Sequence, residues 1–262
     1  MPITLSIALY CSAWLLLVWG ARTRKPPKPY LIPALLSLAL LAHGYGSLVQ
    51  IIVPQGYHFA FPKILSVFFL VANLLIFISA TRKPLRNLFL ITLPITVAAL
   101  LGSLYASDAM GMEPQKFTFD VAGHILLSIL AYSTMIIATA HALLLAYQDH
   151  RIRNKHPTGL ASLLPPLQTM ESLLFELLWV GQALLTLVII TGVFHIVDLG
   201  EQHLYHKIVF TIIAWIIYAI LLWGHHQAGW RGNTATRWTL AGFFCLFLAY
   251  LGTKIVLELI LA

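Results

Sequence analysis

The sequence predicts an all-α fold, a polytopic membrane helix bundle of about eight transmembrane helices with both termini on the non-cytoplasmic side. Composition is the first reason: 60% of the 262 residues are hydrophobic and only 10% are charged, whereas a soluble domain carries about a quarter charged residues. The second reason is that the apolar residues come in runs of about 20, the length that crosses a bilayer as a helix. The third is the distribution of lysine and arginine between the connections.

Eight apolar runs are expected to form the transmembrane helices. In chain order they cover residues 3–20, 31–53, 62–80, 85–105, 121–147, 173–197, 206–223 and 238–260. The first run has no basic residue before it and four just after it, the reverse of a secretory signal peptide, so we expect it to stay in the protein as a helix. Proline marks two of the connections: residues 25–33 contain four prolines and should form a stiff extended connector, and Leu164-Pro165-Pro166-Leu167 leads into the sixth run.

The basic residues predict the orientation of the helices. Positive residues that flank a span are retained on the cytoplasmic side, and twelve of the sixteen lie in the connections after odd-numbered runs. These twelve are Arg22, Arg24, Lys25, Lys28, Arg82, Lys83, Arg86, Arg151, Arg153, Lys155, Arg231 and Arg237, and the other side holds Lys63, Lys116, Lys207 and Lys254. The odd-numbered connections are therefore predicted to be cytoplasmic. The net charge of +7 then needs no nucleic acid as a partner.

No part of the sequence is predicted to fold as a separate soluble domain. The largest cytoplasmic connection, residues 148–172, is too short and too apolar for one, so we expect a single membrane domain over residues 1–262. The two cysteines, Cys11 and Cys245, lie far apart in apolar runs and form no C-x-x-C pair. Neither a disulfide framework nor thiol exchange is indicated. Gln182, Asn73 and Tyr132 are polar groups within the spans and are expected to form hydrogen bonds between helices.

Histidine is the most informative residue type, since the chain has eleven. Five are predicted to lie at the outer face: His58, His124, His195, His203 and His206. Neutral imidazole is a good ligand for haem iron and other transition metals, although a histidine at a helix end is also a common interfacial polar residue.

Two further histidines, His43 and His141, are predicted to lie within the hydrocarbon depth. An ionisable residue is costly there and is a functional candidate for that reason. The other interpretation is that each donates a hydrogen bond to a neighbouring helix.

Several motifs in the last 140 or so residues resemble a known family. They are the run Gly123-His124 to Ala131-Tyr132, Pro165-Pro166-Leu167, the run ending in Thr191-Gly192, Trp215 with Tyr218, and Gly229-Trp230-Arg231-Gly232. Together they resemble the cytochrome c assembly protein family, most strongly over residues 121–252, and the short chain is similar to its YpjD branch. The Gly229-Trp230-Arg231-Gly232 motif also predicts a tight turn with a membrane anchor.

The resemblance implies that His124 is an outward-facing axial ligand to haem iron. In the family a tryptophan-rich segment forms an aromatic platform for the porphyrin, but residues 198–207 take its place here and contain no tryptophan. The family's second histidine, after the last helix, also has no counterpart in the sequence. The other axial ligand is then expected from His195, His203 or His206, with Lys207 or Lys63 available for a propionate. Of these histidines, His206 joins His124 as a candidate ligand to the iron.

Three functions are considered from these observations. The first is a multi-pass protein of the inner (plasma) membrane that binds and handles haem for cytochrome c assembly. The alternative is an accessory or regulatory membrane subunit that keeps the family fold without haem and binds other cytochrome-assembly or membrane proteins. A small transporter that uses His43 and His141 is a third possibility. An enzyme is not expected, because the sequence has no nucleophile-base motif, no H-E-x-x-H and no phosphate loop.

Overall fold

The structure is a computed structural model, and it describes residues 1–23, 27–58, 60–105, 119–154, 164–196 and 205–255. Within these residues there are eight α-helices, one short 3₁₀ helix and one pair of two-residue strands. The helices are α1 (Pro2–Thr23), α2 (Leu31–Ile51), α3 (Phe61–Ser79), α4 (Phe89–Tyr105), α5 (Phe119–Arg153), α6 (Leu167–Ile196), α7 (Tyr205–Ala228) and α8 (Asn233–Ile255). The all-α polytopic prediction is confirmed, since seven of the described helices are long and apolar enough to cross a membrane.

Four helices extend well beyond the apolar runs that predicted them. Helices α5 and α7 continue to Arg153 and Ala228, past the ends of their runs, and α6 and α8 begin at Leu167 and Asn233, before their runs. Hydropathy marks only the part of a helix that suits hydrocarbon, whereas the backbone hydrogen bonds continue into the polar layer. The basic side chains in the last turn of α5, His150, Arg151 and Arg153, are favourable there because they face the negative end of the helix dipole.

The second predicted run, 31–53, ends in strand structure that the sequence analysis did not foresee. Helix α2 stops at Ile51, and strands β1 (Ile52–Val53) and β2 (Gly56–Tyr57) pair antiparallel. Val53 precedes Pro54, and a residue before proline is restricted to extended backbone. Gly56 then turns the chain at a φ of 143°, which L side chains rarely adopt.

The helices form two compact units, α1–α4 and α5–α8. In each unit helices adjacent in the sequence pack together, and the first helix also packs against the fourth. Each unit is therefore a closed four-helix arrangement of the kind that short connections produce. The expectation of a single membrane domain stays a prediction, as does the side of the membrane on which the termini lie.

Close packing of α1 on α2 and buried hydrogen bonds between α3 and α4 hold the α1–α4 unit together. A Cβ on Gly46 of α2 would lie 2.6 Å from Cγ1 of Ile3, so the absent side chain allows the two helices to meet. Between α3 and α4, the Asn73 amide donates to Thr96 Oγ1 at 2.7 Å and its carbonyl accepts from the Thr92 hydroxyl at 2.8 Å. The predicted interhelical role of Asn73 is thus confirmed.

Candidate functional site

Hydrogen bonds between α5 and α6 show that these two helices are antiparallel. Near the start of α5, His124 contacts Thr191 in the last turns of α6. Much further along α5, His141 contacts the Met170 carbonyl in the first turn of α6. The start of α5 and the end of α6 therefore lie at one end of the unit, which we call the His124 end.

Contacts between α6 and α7 extend this arrangement to a third helix. The Gln182 side-chain amide donates to the Trp215 carbonyl at 3.2 Å, and Phe175 stacks on His225 at the other end of α7. These pairs run in opposite directions along the two helices, so the start of α7 also lies at the His124 end. The predicted interhelical hydrogen bond of Gln182 is confirmed as well.

The His124 imidazole is held by the hydroxyl of Thr191. His124 is partly buried, and its Nδ1 lies 2.8 Å from Thr191 Oγ1. The Thr191 hydroxyl also lies 2.9 Å from the Leu187 carbonyl oxygen and 3.2 Å from that of Val188. This geometry fits a Thr191 hydroxyl that donates along its own helix and accepts from Nδ1–H of His124, because a hydroxyl has one proton and a carbonyl can only accept. In that tautomer the lone pair of the neutral ring is on Nε2.

Gly192 of α6 lies beside the imidazole of His124. A Cβ at this position would be 3.4 Å from Cε1 of His124, which is van der Waals contact. The Thr191-Gly192 pair therefore lies against the ring: the hydroxyl contacts Nδ1, and Gly192 is next to Cε1. In the sequence, Thr191 serves only as a family marker, and its contact with His124 was not predicted. The signal for that contact is the position of Thr191 near the predicted outer end of the span that follows the one containing His124.

The structure describes some of the other predicted site residues fully and others only in part. His195 belongs to the last turn of α6, four residues after Thr191, and therefore on the same side of that helix; its side chain and all of His203 lie outside the described residues. His206 is partly buried in the first turn of α7, and Lys207 beside it is exposed. Both belong to the His124 end.

Lys63 and His58 belong to the α1–α4 unit. Their side chains are 6% and 7% exposed, and Lys63 Nζ lies 3.0 Å from His58 Nδ1. An ammonium can only donate, so His58 accepts at Nδ1. Lys63, which the sequence analysis offered for a propionate, already has this histidine as a partner.

The two intramembrane histidines each contact a neighbouring helix. His43 Nδ1 lies 3.2 Å from the hydroxyl of Tyr10, which joins α2 to α1. His141 Nε2 lies 2.9 Å from the Met170 carbonyl oxygen and donates to it. Both rings are almost fully buried. Both histidines therefore make contacts between helices, as the second interpretation expects, and the transport path stays a hypothesis.

The opposite end of the α5–α8 unit holds the predicted tight turn. Gly229 and Gly232 have φ values of 66° and 55°, and the Gly232 amide donates to Oε1 of Glu171 at 2.9 Å. His225 Nδ1 lies 2.8 Å from the Trp230 carbonyl oxygen, and its ring is stacked on Phe175 with centroids 3.4 Å apart. These contacts tie the turn to α6 and α7. They give His225 a structural role.

The donor groups that the structure describes at the His124 end are the imidazoles of His124 and His206. Within the described stretches, no three His, Cys, Asp or Glu side chains come close enough to hold a metal ion. Haem iron needs only one or two axial ligands from the protein. A histidine whose Nδ1 is hydrogen-bonded is also the usual form of a ligand that uses Nε2.

Comparison with known proteins shows which family the sequence matches. The sequence model of the family described as cytochrome C assembly protein matches residues 31–261. The inner membrane protein YpjD of Escherichia coli strain K12 is 36% identical over 226 residues, which is 85% of each chain. An uncharacterized 28.8 kDa protein of Azospirillum brasilense is 29% identical over 140 residues, 53% of this chain and 52% of its own length. No solved structure gives a significant match.

Proposed function

Because the chain belongs to the cytochrome c assembly protein family, we propose that it is an inner-membrane protein that binds haem through His124 during cytochrome c biogenesis. Family membership supports the broader role in cytochrome c biogenesis. Haem binding, the ligand set and the membrane of residence are the parts we propose. The relative named as an inner membrane protein supports the last of these.

The His124–Thr191 hydrogen bond carries the proposal. A ligating histidine generally donates its second ring N–H to a fixed acceptor, which sets the tautomer and the orientation of the ring. Thr191 is such an acceptor, because its own proton is directed to α6 carbonyls. The resulting neutral imidazole presents Nε2 as the ligand atom for iron.

The second axial ligand would come from the same end of the α5–α8 unit. His206 in the first turn of α7 is the candidate that the structure describes, and His195 and His203 are the others in the sequence. Lys207 is exposed next to His206, where a cation can pair with a propionate. Bound haem would supply the iron and the group to be delivered, and the chain's own residues would ligate and orient it. We propose no catalytic residue and no enzymatic activity.

One observation favours a second function, that of an accessory or regulatory subunit without haem. Residues 198–207 contain no tryptophan, whereas the family builds its porphyrin platform there. Two indoles are instead strongly exposed on the surface of this unit, Trp179 at 57% and Trp223 at 65%. In this alternative the His124–Thr191 bond only fastens α5 to α6, and the exposed aromatic surface contacts lipid or the helices of another membrane protein.

Haem titration of the purified full chain separates the two functions. The expected result is a Soret band in the wild-type protein that is lost, or weakened at least tenfold in affinity, in His124→Ala. His150→Ala is the matched control, because His150 lies on the same helix, is exposed and bonds only to Asn154 among the contacts that the structure records for it. Wild-type protein that stays colourless after haem loading, or a band that survives in His124→Ala, would overturn the haem proposal and leave the accessory function.

A further inference from the structure

A cavity of about 920 Å³ opens at one end of the α1–α4 unit. It lies where α1 and α3 end and where α2 and α4 begin, the end that the positive-inside rule assigns to the cytoplasm. Its volume is in the range of sites for small molecules, about 300–1,000 Å³. The lining combines an apolar wall with a polar rim, so the cavity is shaped for a molecule with both kinds of surface.

The apolar wall comes from all four helices. Leu17 of α1, Ile32 and Leu36 of α2, Phe77 of α3 and Phe89 of α4 line it. Small residues at the helix ends, such as Ala21 and Ala80, keep the cavity open. An alkyl chain is the ligand that such a wall accepts with the least desolvation cost.

The rim is basic. Lys28 and Arg86 line the cavity, and both residues are exposed. Thr81 and Asn87 add a hydroxyl and an amide. The rim therefore offers hydrogen-bond donors and two positive charges at one opening, and a phosphate group is the anion that this combination fits.

The sequence provides no acidic residue near these cations. The first aspartate or glutamate in the chain is Asp108, so residues 1–107 carry eight lysines and arginines and no carboxylate side chain. Helix α2 has no acidic residue in its first turn and no side-chain cap, and the same holds for the 3₁₀ turn Arg86–Leu88 before α4. The positive start of helix α2 thus adds to the charge of Lys28 and Arg86, and residues 1–107 contain no carboxylate side chain to neutralise it.

We propose that this cavity binds one anionic phospholipid, with the phosphate between Lys28 and Arg86 and an acyl chain along the apolar wall. Basic pockets between transmembrane helices on the cytoplasmic side are typical sites for anionic headgroups. The lipid supplies the negative charge that residues 1–107 lack, and its chain fills space that would otherwise be a void between helix ends. This site is separate from the His124 end and does not depend on haem.

The test is lipid retention by the full chain, measured by native mass spectrometry after titration with phosphatidylglycerol or phosphatidylcholine in detergent. We expect one tightly held phosphatidylglycerol and markedly weaker retention of phosphatidylcholine. Lys28→Gln/Arg86→Gln should weaken phosphatidylglycerol binding roughly 25-fold, since each cation near an anionic headgroup is worth roughly fivefold in affinity. Arg22→Gln/Arg82→Gln removes the same charge from exposed residues of this end that do not line the cavity, and it should leave binding within about twofold.

A steric variant keeps the charges and tests the apolar wall. Ala80→Phe places a ring in the cavity and should lower lipid retention while the protein keeps its monodisperse elution profile. His124→Ala should retain lipid as the wild type does, which separates this proposal from the haem proposal. Equal loss in the two charge variants would show a general surface effect, equal binding of the two lipids would show an apolar groove only, and full competition by inorganic phosphate would show a free-anion site. Any of these three results would overturn the proposal.

Discussion

The indole N–H of Trp14 in α1 donates to the backbone carbonyl of Leu90 in α4 at 3.1 Å. Leu90 is four residues before Pro94, which lies inside α4 and has no N–H to give to that carbonyl. Trp14 therefore replaces the hydrogen bond that proline removes. In a bilayer this replacement matters, because no water is present to satisfy a freed backbone group.

We expect Trp14→Phe to lower the stability of the protein by about 1 kcal/mol through the loss of this hydrogen bond. The measurement is the unfolding midpoint of the purified protein in a mild detergent. In a Pro94→Ala background α4 can supply its own donor to Leu90, so the same tryptophan substitution should cost clearly less. Equal losses in the two backgrounds would refute the coupling between the indole and the proline.

Thr191 gives a prediction about the tautomer of His124. Thr191→Val keeps the shape but removes the acceptor of Nδ1–H, and we expect haem affinity to fall about 10- to 100-fold. Thr191→Ser retains the hydroxyl and should stay within a few-fold of the wild type. Optical titration measures both variants. If valine and serine behaved alike, the hydroxyl would have no part in orienting the ring.

Gly242 predicts a steric limit on the packing of α7 and α8. A Cβ at this position would lie 2.6 Å from Cζ of Tyr218, a fully buried ring with no room to move. We expect Gly242→Ala to destabilise the protein by about 1–3 kcal/mol, the usual cost of overpacking. Gly44→Ala is the control, since its Cβ would meet only Leu70 at 4.0 Å, and there alanine should be neutral or slightly stabilising. Thermal unfolding that ranks the two variants the other way would contradict the packing.

Glu171 should protect the amide of Gly232 from hydrogen exchange. Its Oε1 accepts that N–H at 2.9 Å and ties the turn before α8 to α6. Glu171→Ala should raise the exchange rate at Gly232 by about tenfold, in line with a hydrogen bond to a charged group at a partly exposed position. Glu171→Gln keeps an acceptor oxygen and should show a smaller change. Unaltered protection in the alanine variant would mean that the turn is held by its glycines and His225 alone.

Much of the fold can be predicted from hydropathy, because a helix that crosses the hydrocarbon core of a bilayer needs about 20 mostly apolar residues. The apolar runs predict where each helix crosses, and they predict nothing about how far it continues into the polar layer, as the last turns of α5 show. The β1–β2 pair was missed for a related reason. Its strands are apolar like the helix before them, and only Pro54 and Gly56 indicate a break.

The candidate site could be predicted only in part. His124 was found through a family motif, but its partner Thr191 is 67 residues away in the sequence, and no periodicity within one helix can reveal a pair of that kind. The same holds for Trp14 and Leu90, 76 residues apart. The charge imbalance of residues 1–107 is visible in the sequence, whereas the cavity beside it needs the packed helices to be seen.

Each four-helix unit is closed by contact of its first helix with its fourth, α1 with α4 and α5 with α8. During translation the ribosome delivers the helices in chain order, so the nascent hairpins can form early while the closing contact must await the fourth segment. Until α4 emerges, Trp14 has no carbonyl of Leu90 to bond. A ribosome that stalls after α3 would therefore leave a three-helix intermediate in which Trp14 and Asn73 lack the hydrogen-bond partners that α4 supplies.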